Sequence, residues 1–210
     1  HDRSGGKNGK RRLFGNLILT RRSPLQVLNH LLPSPADPRA RFMARQATEI
    51  VISTDFGNLR MLNTHLEFFS EKQQLAQVKR IRELHEEACD QSQSPGIDHP
   101  SSPFAVINRS EKMVICGDFN FIPESSPYKL ITSDFSPEIP NLIDAWKVVH
   151  PNKARTPTCG IFDNKQWKKG PHCRDYFFIS QNMSKQIRKF SVNTETAASD
   201  HQPIYICIEE

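Results

Sequence analysis

The chain alternates short apolar runs with polar stretches, and the period of each run predicts an element. FGNLILT, residues 14–20, is nearly unbroken in its apolar character and predicts a buried strand, with Pro24 marking the turn beyond it. The proline-rich LLPSPADPRA predicts a loop. ATEIVIST, then DFGN, then LRMLNTHLEF carries the signal of a β-hairpin. In its second arm Leu59, Met61, Asn63 and His65 share one face by the two-residue period, so an apolar face turns polar towards its end.

From Ser70 to about Asp90 the period lengthens to that of a helix. Ser70 and Gln73 have capping-box spacing, Glu71 sits in the first turn, and Leu75, Val78, Ile81, Leu84 and Ala88 form one apolar stripe. After a polar loop, KMVIC is a continuous apolar run of the kind expected of a strand covered on both faces. SSPYKLIT and NLIDAWKVVH predict short helices, the second beginning near Asn141. RDYFFIS, QIRKFSVN and PIYICIE predict strands. Strands and helices intersperse with no repeat and no evident linker, which predicts a single α/β domain over 1–210 built on mixed sheet.

Composition narrows this picture modestly. The 210 residues are 37% hydrophobic and 24% charged, ordinary for a globular protein. No stretch approaches the ~18 apolar residues of a membrane span. Five cysteines, an odd number without a CxxC pair, favour free thiols in a reducing, cytoplasmic compartment over a disulfide scaffold or zinc site. Cys116 and Cys207 lie in apolar runs and read as small hydrophobes. The net charge of +5 suits an anionic partner, with basic clusters at Lys7 to Arg12, at Arg21 and Arg22, and around Trp167. The glycine- and lysine-rich residues 1–12 read as a loop.

Polar residues placed at strand ends carry the candidate chemistry. Asn63 and His65 close one strand, Asp118 and Asn120 follow the next, Asp175 opens RDYFFIS, and Asp200-His201 precedes PIYICIE. Singly, each has a structural explanation: a capped turn, a satisfied core histidine, a lone strand-end acceptor. Together they place carboxylates, imidazoles and an amide where a stiff sheet can hold them in fixed geometry.

NTHLE, ICGDFN, RDYFFIS and ASDHQPI, in that order and spacing, resemble the endonuclease/exonuclease/phosphatase superfamily, over residues 14–208. The motifs are similar to those of its tyrosyl-DNA phosphodiesterase 2 and apurinic/apyrimidinic endonuclease branches. The resemblance implies an α/β four-layer sandwich, two mixed β-sheets packed face to face with helices outside. It implies a Mg²⁺- or Mn²⁺-dependent hydrolase of phosphate esters. On the matching positions, His65 corresponds to the histidine that hydrogen-bonds the scissile phosphate, Asp118 to the aspartate that orients or deprotonates the attacking water, and Asn120 to its partner on a phosphate oxygen. Asp175 corresponds to the carboxylate that orients the last histidine, His201 to that histidine, and Asp200 to an outer metal carboxylate.

The family's first two strands normally end in an asparagine and in the glutamate that is the principal metal ligand. FGNLILT matches a later strand, and neither Asp2 nor Asn8 fits either motif, so those ligands are expected upstream of His1 in an intact protein.

Hydrolysis of a phosphodiester needs an activated water and support for charge on the phosphoryl and leaving oxygens, which an aspartate, metal-holding carboxylates and donor side chains supply. GIFDNKQWKKGPHCRD, with Trp167 between cations, suits stacking on a base beside neutralised phosphates. Trp167, Lys168, Arg21 and Asn63 are the candidate substrate contacts, and nucleic acid is the favoured substrate for a protein expected to act as a monomer. Two rivals remain: hydrolysis of inositol phosphates, lipids or small metabolites on the same fold, and a catalytically silent nucleic-acid-binding protein.

Overall fold

A computed structural model describes residues 14–163 and 165–209; the basic cluster read in residues 1–12 lies outside them. Its frame is a six-stranded mixed sheet. In chain order the strands are β1 (Gln26–Leu31), β2 (Gln46–Thr54), β3 (Gly57–His65), β4 (Met113–Asp118), β5 (Leu142–Asp144) and β6 (Asp175–Ser180). Their spatial order is β1-β2-β3-β4-β6-β5. All neighbours are antiparallel except β3 and β4, whose parallel pairing requires a crossover connection. The helix α1 (Glu71–Gln93) is in that connection, and Ser70 caps it by accepting from the backbone N–H of Gln73.

One face of the sheet carries Leu62, Met113, Ile115, Tyr176 and Phe178, which pack against Val78, Ile81 and Leu84 of α1 and Ile131 of α2 (Ser126–Ile131). The opposite face carries Ile50, Ile52, Leu59, Val114 and Ile179. It packs against α3 (Ala145–Val149) and an antiparallel pair, β7 (Ile187–Val192) and β8 (Ile204–Ile208). The expected α/β layering is therefore present. The second sheet has two strands among the described residues, and Tyr205 of its outer face is 53% exposed.

The structure corrects four expectations. Residues 14–20 form no strand among the described residues: Ile18 reaches the core, but Leu17 and Leu19 are exposed, because the segment pairs with no neighbouring backbone. Instead Asn16 Nδ2 fastens it by donating to Gln46 O and Asn63 O. The strand β1, unforeseen, forms beyond Pro24 as an edge strand whose exposed Val27 and Leu31 blur the expected alternation. NLIDAWKVVH is not one helix: Leu142–Asp144 pairs with β6, and Asp144 then caps α3 by accepting from Trp146 N. Cys207 is exposed on β8, not a buried hydrophobe; all five cysteines are free. No described helix is long and apolar enough to cross a membrane.

Candidate active site

Sheet register builds the site. His65, the last residue of β3, pairs with Asp118, the last of β4, and Asp118 pairs with Asp175, the first of β6. Three polar residues thus form one rung across three adjacent strands, roughly 4.8 Å apart. By the two-residue period Asp118 follows Val114 and Cys116, and Asp175 precedes Phe177 and Ile179, so the rung terminates the face turned towards β7 and β8.

Gly117 makes the approach possible. Its φ is +143°, and a Cβ there would lie 1.8 Å from Thr64 O of the neighbouring strand. Asn120 has φ +56°, a region asparagine tolerates. Its N–H donates to Asp118 Oδ1 at 2.8 Å, and its Nδ2 donates to Leu66 O at 3.0 Å, which ties the end of β4 to the segment after β3.

His201 enters from the loop before β8. Its Nδ1 donates to Asp175 Oδ2 at 2.8 Å, and its Nε2 lies 3.8 Å from Asp118 Oδ2. His65 Nε2 lies 3.5 Å from the same oxygen. Thr158, buried and unforeseen, completes the arrangement: its hydroxyl donates to Asp175 Oδ2 at 2.6 Å and accepts from the N–H groups of Arg174 and Asp175. No sequence motif marks Thr158. It lies 17 residues before its partner, in a loop that the isolated bridges of Cys159 to His172 and His201 hold in place.

These contacts divide the ionisation states. Burial, reinforced by the charge of Asp175, pushes the Asp118 carboxyl up to about 6. Burial, with Arg45 and His201 adding to it, lowers His65 to about 4, so that imidazole is neutral at pH 7. Burial also works against protonating His201, but the hydrogen bond and charge of Asp175, followed by Asp118 and Asp200, outweigh it and raise its pKa.

The groups open into a cleft of about 450 Å³ lined by His65, Asp118, Asn120, Asp175 and His201, with Phe68, Phe69 and Trp167 along its wall. Phe14 meets His65 edge-on at 5.4 Å. Ligand atoms of Asp118, Asp175 and His201 lie within 4.8 Å of one another. Because Asp175 Oδ2 already accepts from Thr158 and His201, Asp118 is the less committed carboxylate. Mg²⁺ commonly takes one or two protein carboxylates and completes its shell with phosphate oxygens and water, so this donor set fits part of such a site.

Of five further candidates, Asp200 and Trp167 reach the cleft and Asn63, Lys168 and Arg21 do not. Asp200 lines the cleft but is exposed, hydrogen-bonded to Ser199 Oγ and outside the three-residue cluster, because the turn before His201 faces solvent. Asn63 shares the face of His65, yet its amide donates to Cys116 Sγ and it does not line the cleft. Trp167 lines the cleft as a buried wall, packed on His172 at 4.7 Å and under the Arg174 guanidinium at 4.8 Å. With Trp167 turned inward, Lys168 projects into solvent outside the cleft. Arg21 lies at the other end of the sheet: its neighbour Arg22 donates to Ser53 O, seven residues and roughly 23 Å along β2 from the site end.

Known structures share this architecture. An endonuclease/exonuclease/phosphatase from Bacteroides vulgatus superposes with a TM-score of 0.62 at 18% identity, over 89% of this chain and 66% of that one. A mannosyl-6-phosphatase from Bacteroides thetaiotaomicron gives 0.60 at 16% identity, over 88% and 66%. A Neisseria 3′ phosphatase bound to a product DNA hairpin gives 0.59 at 19% identity, over 91% and 73%. The chain thus spans about two-thirds of the length of the first two. No curated protein matches it in sequence. The model of one family matches residues 2–201, nearly the whole chain, and the chain belongs to that family, the Endonuclease/Exonuclease/phosphatase family.

Proposed function

We propose that this chain carries the catalytic end of a divalent-metal-dependent phosphoesterase that hydrolyses phosphodiester bonds in nucleic acid. The observation that carries the reading is the rung His65–Asp118–Asp175 with His201 bonded to its outer member. Asp118, with a carboxyl at about 6, is largely ionised at pH 7 yet basic enough to take a proton from water. Asp175 fixes His201 with Nδ1 protonated and favours the imidazolium, which donates from Nε2 to a phosphoryl oxygen. Neutral His65 offers a second donor. One amide hydrogen of Asn120 holds Leu66 O, and the other remains for a phosphoryl oxygen. Mg²⁺ or Mn²⁺, which Asp118 through a bound water and Asp200 at the rim would help to hold, would neutralise the phosphoryl charge.

All these groups come from one chain, so the reading requires no second subunit. Five free thiols support a reducing compartment. Nucleic acid is favoured over a compact metabolite by the net charge of +5 and by Arg41 and Arg174 beside the aromatic wall. The Neisseria relative's bound DNA hairpin supports the same choice.

The test is cleavage of single- and double-stranded DNA and RNA in Mg²⁺, Mn²⁺ and excess chelator across a salt series. Cleavage is expected to require the metal, and binding to weaken steeply with salt. Full activity in chelator overturns the metal; turnover of compact phosphomonoesters with no nucleic-acid cleavage overturns the substrate.

A further inference from the structure

The segment joining β3 to α1 displays two phenylalanines that the chemistry above does not use. Phe68 and Phe69 line the reaction cleft and remain 40% and 53% exposed. The backbone that carries them is held by buried side chains. Phe69 N–H donates to Glu67 Oε1, Glu67 N–H donates to Gln77 Oε1, and Arg45 pairs with the Glu67 carboxylate. Gln74 Nε2 donates both to Glu67 O and to Phe119 O, the residue after Asp118, so one buried amide couples the phenylalanine segment to the catalytic rung. Three glutamines, Gln73, Gln74 and Gln77, occupy buried positions on α1 where core packing alone would favour apolar residues.

The two rings stand edge to face at 4.9 Å. Trp167 backs Phe68 edge-on at 5.9 Å, the Arg174 guanidinium lies 4.9 Å from the Phe68 ring, and Arg41 lies 5.3 Å from the Phe69 ring. Trp167, 9% exposed, is enclosed by His172 and Arg174 and serves as support, whereas the phenylalanine rings, each with a guanidinium over it, remain part-exposed to the cleft. A rigid aromatic pair, flanked by two guanidinium groups and continuous with a phosphate-chemistry cleft, matches a flat uncharged ring joined to an anionic backbone. A cleft of about 450 Å³ suits a single such unit, near the lower end of the roughly 300–1,000 Å³ typical of small-ligand sites.

We propose that Phe68 and Phe69 form a stacking subsite for one unpaired nucleobase next to the scissile phosphate. This rests on the nucleic-acid reading above and sharpens it to single-stranded or splayed-out substrate, because base faces within a duplex are already stacked.

The test compares binding of a fluorescent single-stranded oligonucleotide with that of an abasic strand of equal length and charge, by anisotropy without turnover. The wild-type protein is expected to prefer the base-bearing strand by roughly tenfold or more, the range of one base–aromatic stack. Phe68→Ala and Phe69→Ala are expected to reduce that preference, and their combination to abolish it, with abasic binding unchanged. Phe68→Leu and Phe69→Leu keep apolar volume without a ring and are expected to lose most of it; far-UV circular dichroism confirms each variant is folded. Equal binding of the two strands by the wild type, or a preference that survives the double alanine variant, overturns the subsite. Base preference without cleavage supports the subsite while removing the hydrolase reading; cleavage without base preference removes the subsite alone.

Discussion

Two clusters of titratable side chains lie along β3, five residues and roughly 17 Å apart, the first buried and the second part-buried, and they are wired oppositely. At Arg60, ions of opposite sign face one another. Glu49, fully buried, accepts from Arg60 Nε at 2.9 Å, from Arg109 Nη2 at 3.1 Å and from His30 Nε2 at 3.1 Å. Arg60 also donates to Ser110 O and Leu84 O. Burial alone would favour neutral Glu49, but His30, Arg60 and Arg109 outweigh it and hold the carboxyl down at about 2. At His65 the neighbours of Asp118 are another carboxylate and two imidazoles, and its carboxyl rises to about 6. Buried charge that is compensated locks the fold. Part-buried charge left under-compensated has, on the function proposed above, a place for a cation or a proton.

The sharpest way to break this contrast is to neutralise each carboxylate in turn. Glu49→Gln leaves two buried guanidinium groups without their counter-charge and is expected to cost about 3–5 kcal/mol of stability. Urea denaturation measures that loss, and the remaining folded protein should keep its turnover per molecule. Asp118→Asn is expected to do the reverse. Turnover should fall roughly 10²–10⁴-fold, while stability at neutral pH stays level or rises, since an unfavourably buried charge disappears. An Asp118→Asn variant that unfolds, or a folded Glu49→Gln variant that loses turnover, would erase the distinction between the clusters.

Sequence made one of these clusters far more legible than the other. His65, Asp118, Asp175 and His201 stand out because each ends or begins an apolar run, where packing does not require a charge. Glu49 and Arg60 sit inside such runs, and their pairing depends on a hairpin register that composition does not encode. The hairpin, the long helix and four of the later strands were readable from periodicity. The three-residue β5 was not, because so short an apolar run fits a helix equally well. FGNLILT misled because a strand requires a partner backbone as well as an apolar run. Thr158 and the glutamines of α1 escaped because their value lies in hydrogen bonds closed by tertiary packing.

An intermediate effect separates holding a histidine from holding a fold. Asp175→Asn removes the charge behind His201 and is expected to lower turnover roughly 10²-fold, with the His201 limb of the pH–rate profile moving to lower pH. A matching change at the compensated end concerns His85, fully buried and donating to Pro140 O. Burial lowers its pKa to about 4 from 6.5, so its native state resists a proton that the unfolded chain accepts. The stability it permits is complete above pH 6.5 and is lost as pH falls towards 4. Wild-type stability is expected to drop on the order of 2 kcal/mol between pH 7 and pH 5 from this group, with His85→Gln flattening that slope. An identical slope in the variant would show that His85 is not the group responsible.

The smallest expected effect tests how far the wiring of the His65–Asp118–Asp175 cluster extends beyond the groups proposed to touch substrate. Thr158 reaches no cleft surface, but its hydroxyl donates to the same Asp175 oxygen that holds His201 and accepts two backbone N–H groups where β6 begins. Thr158→Val keeps shape and removes those bonds, so Asp175 gains freedom to rotate and His201 loses a fixed orientation. Turnover is expected to fall roughly tenfold with KM unchanged, alongside a stability loss of about 1–3 kcal/mol from the stranded N–H groups. Thr158→Ser restores the hydroxyl and should restore both. If Thr158→Val loses stability but keeps full turnover, the threonine belongs with Arg60 as an element of the fold, and the catalytic cluster ends at Asp175.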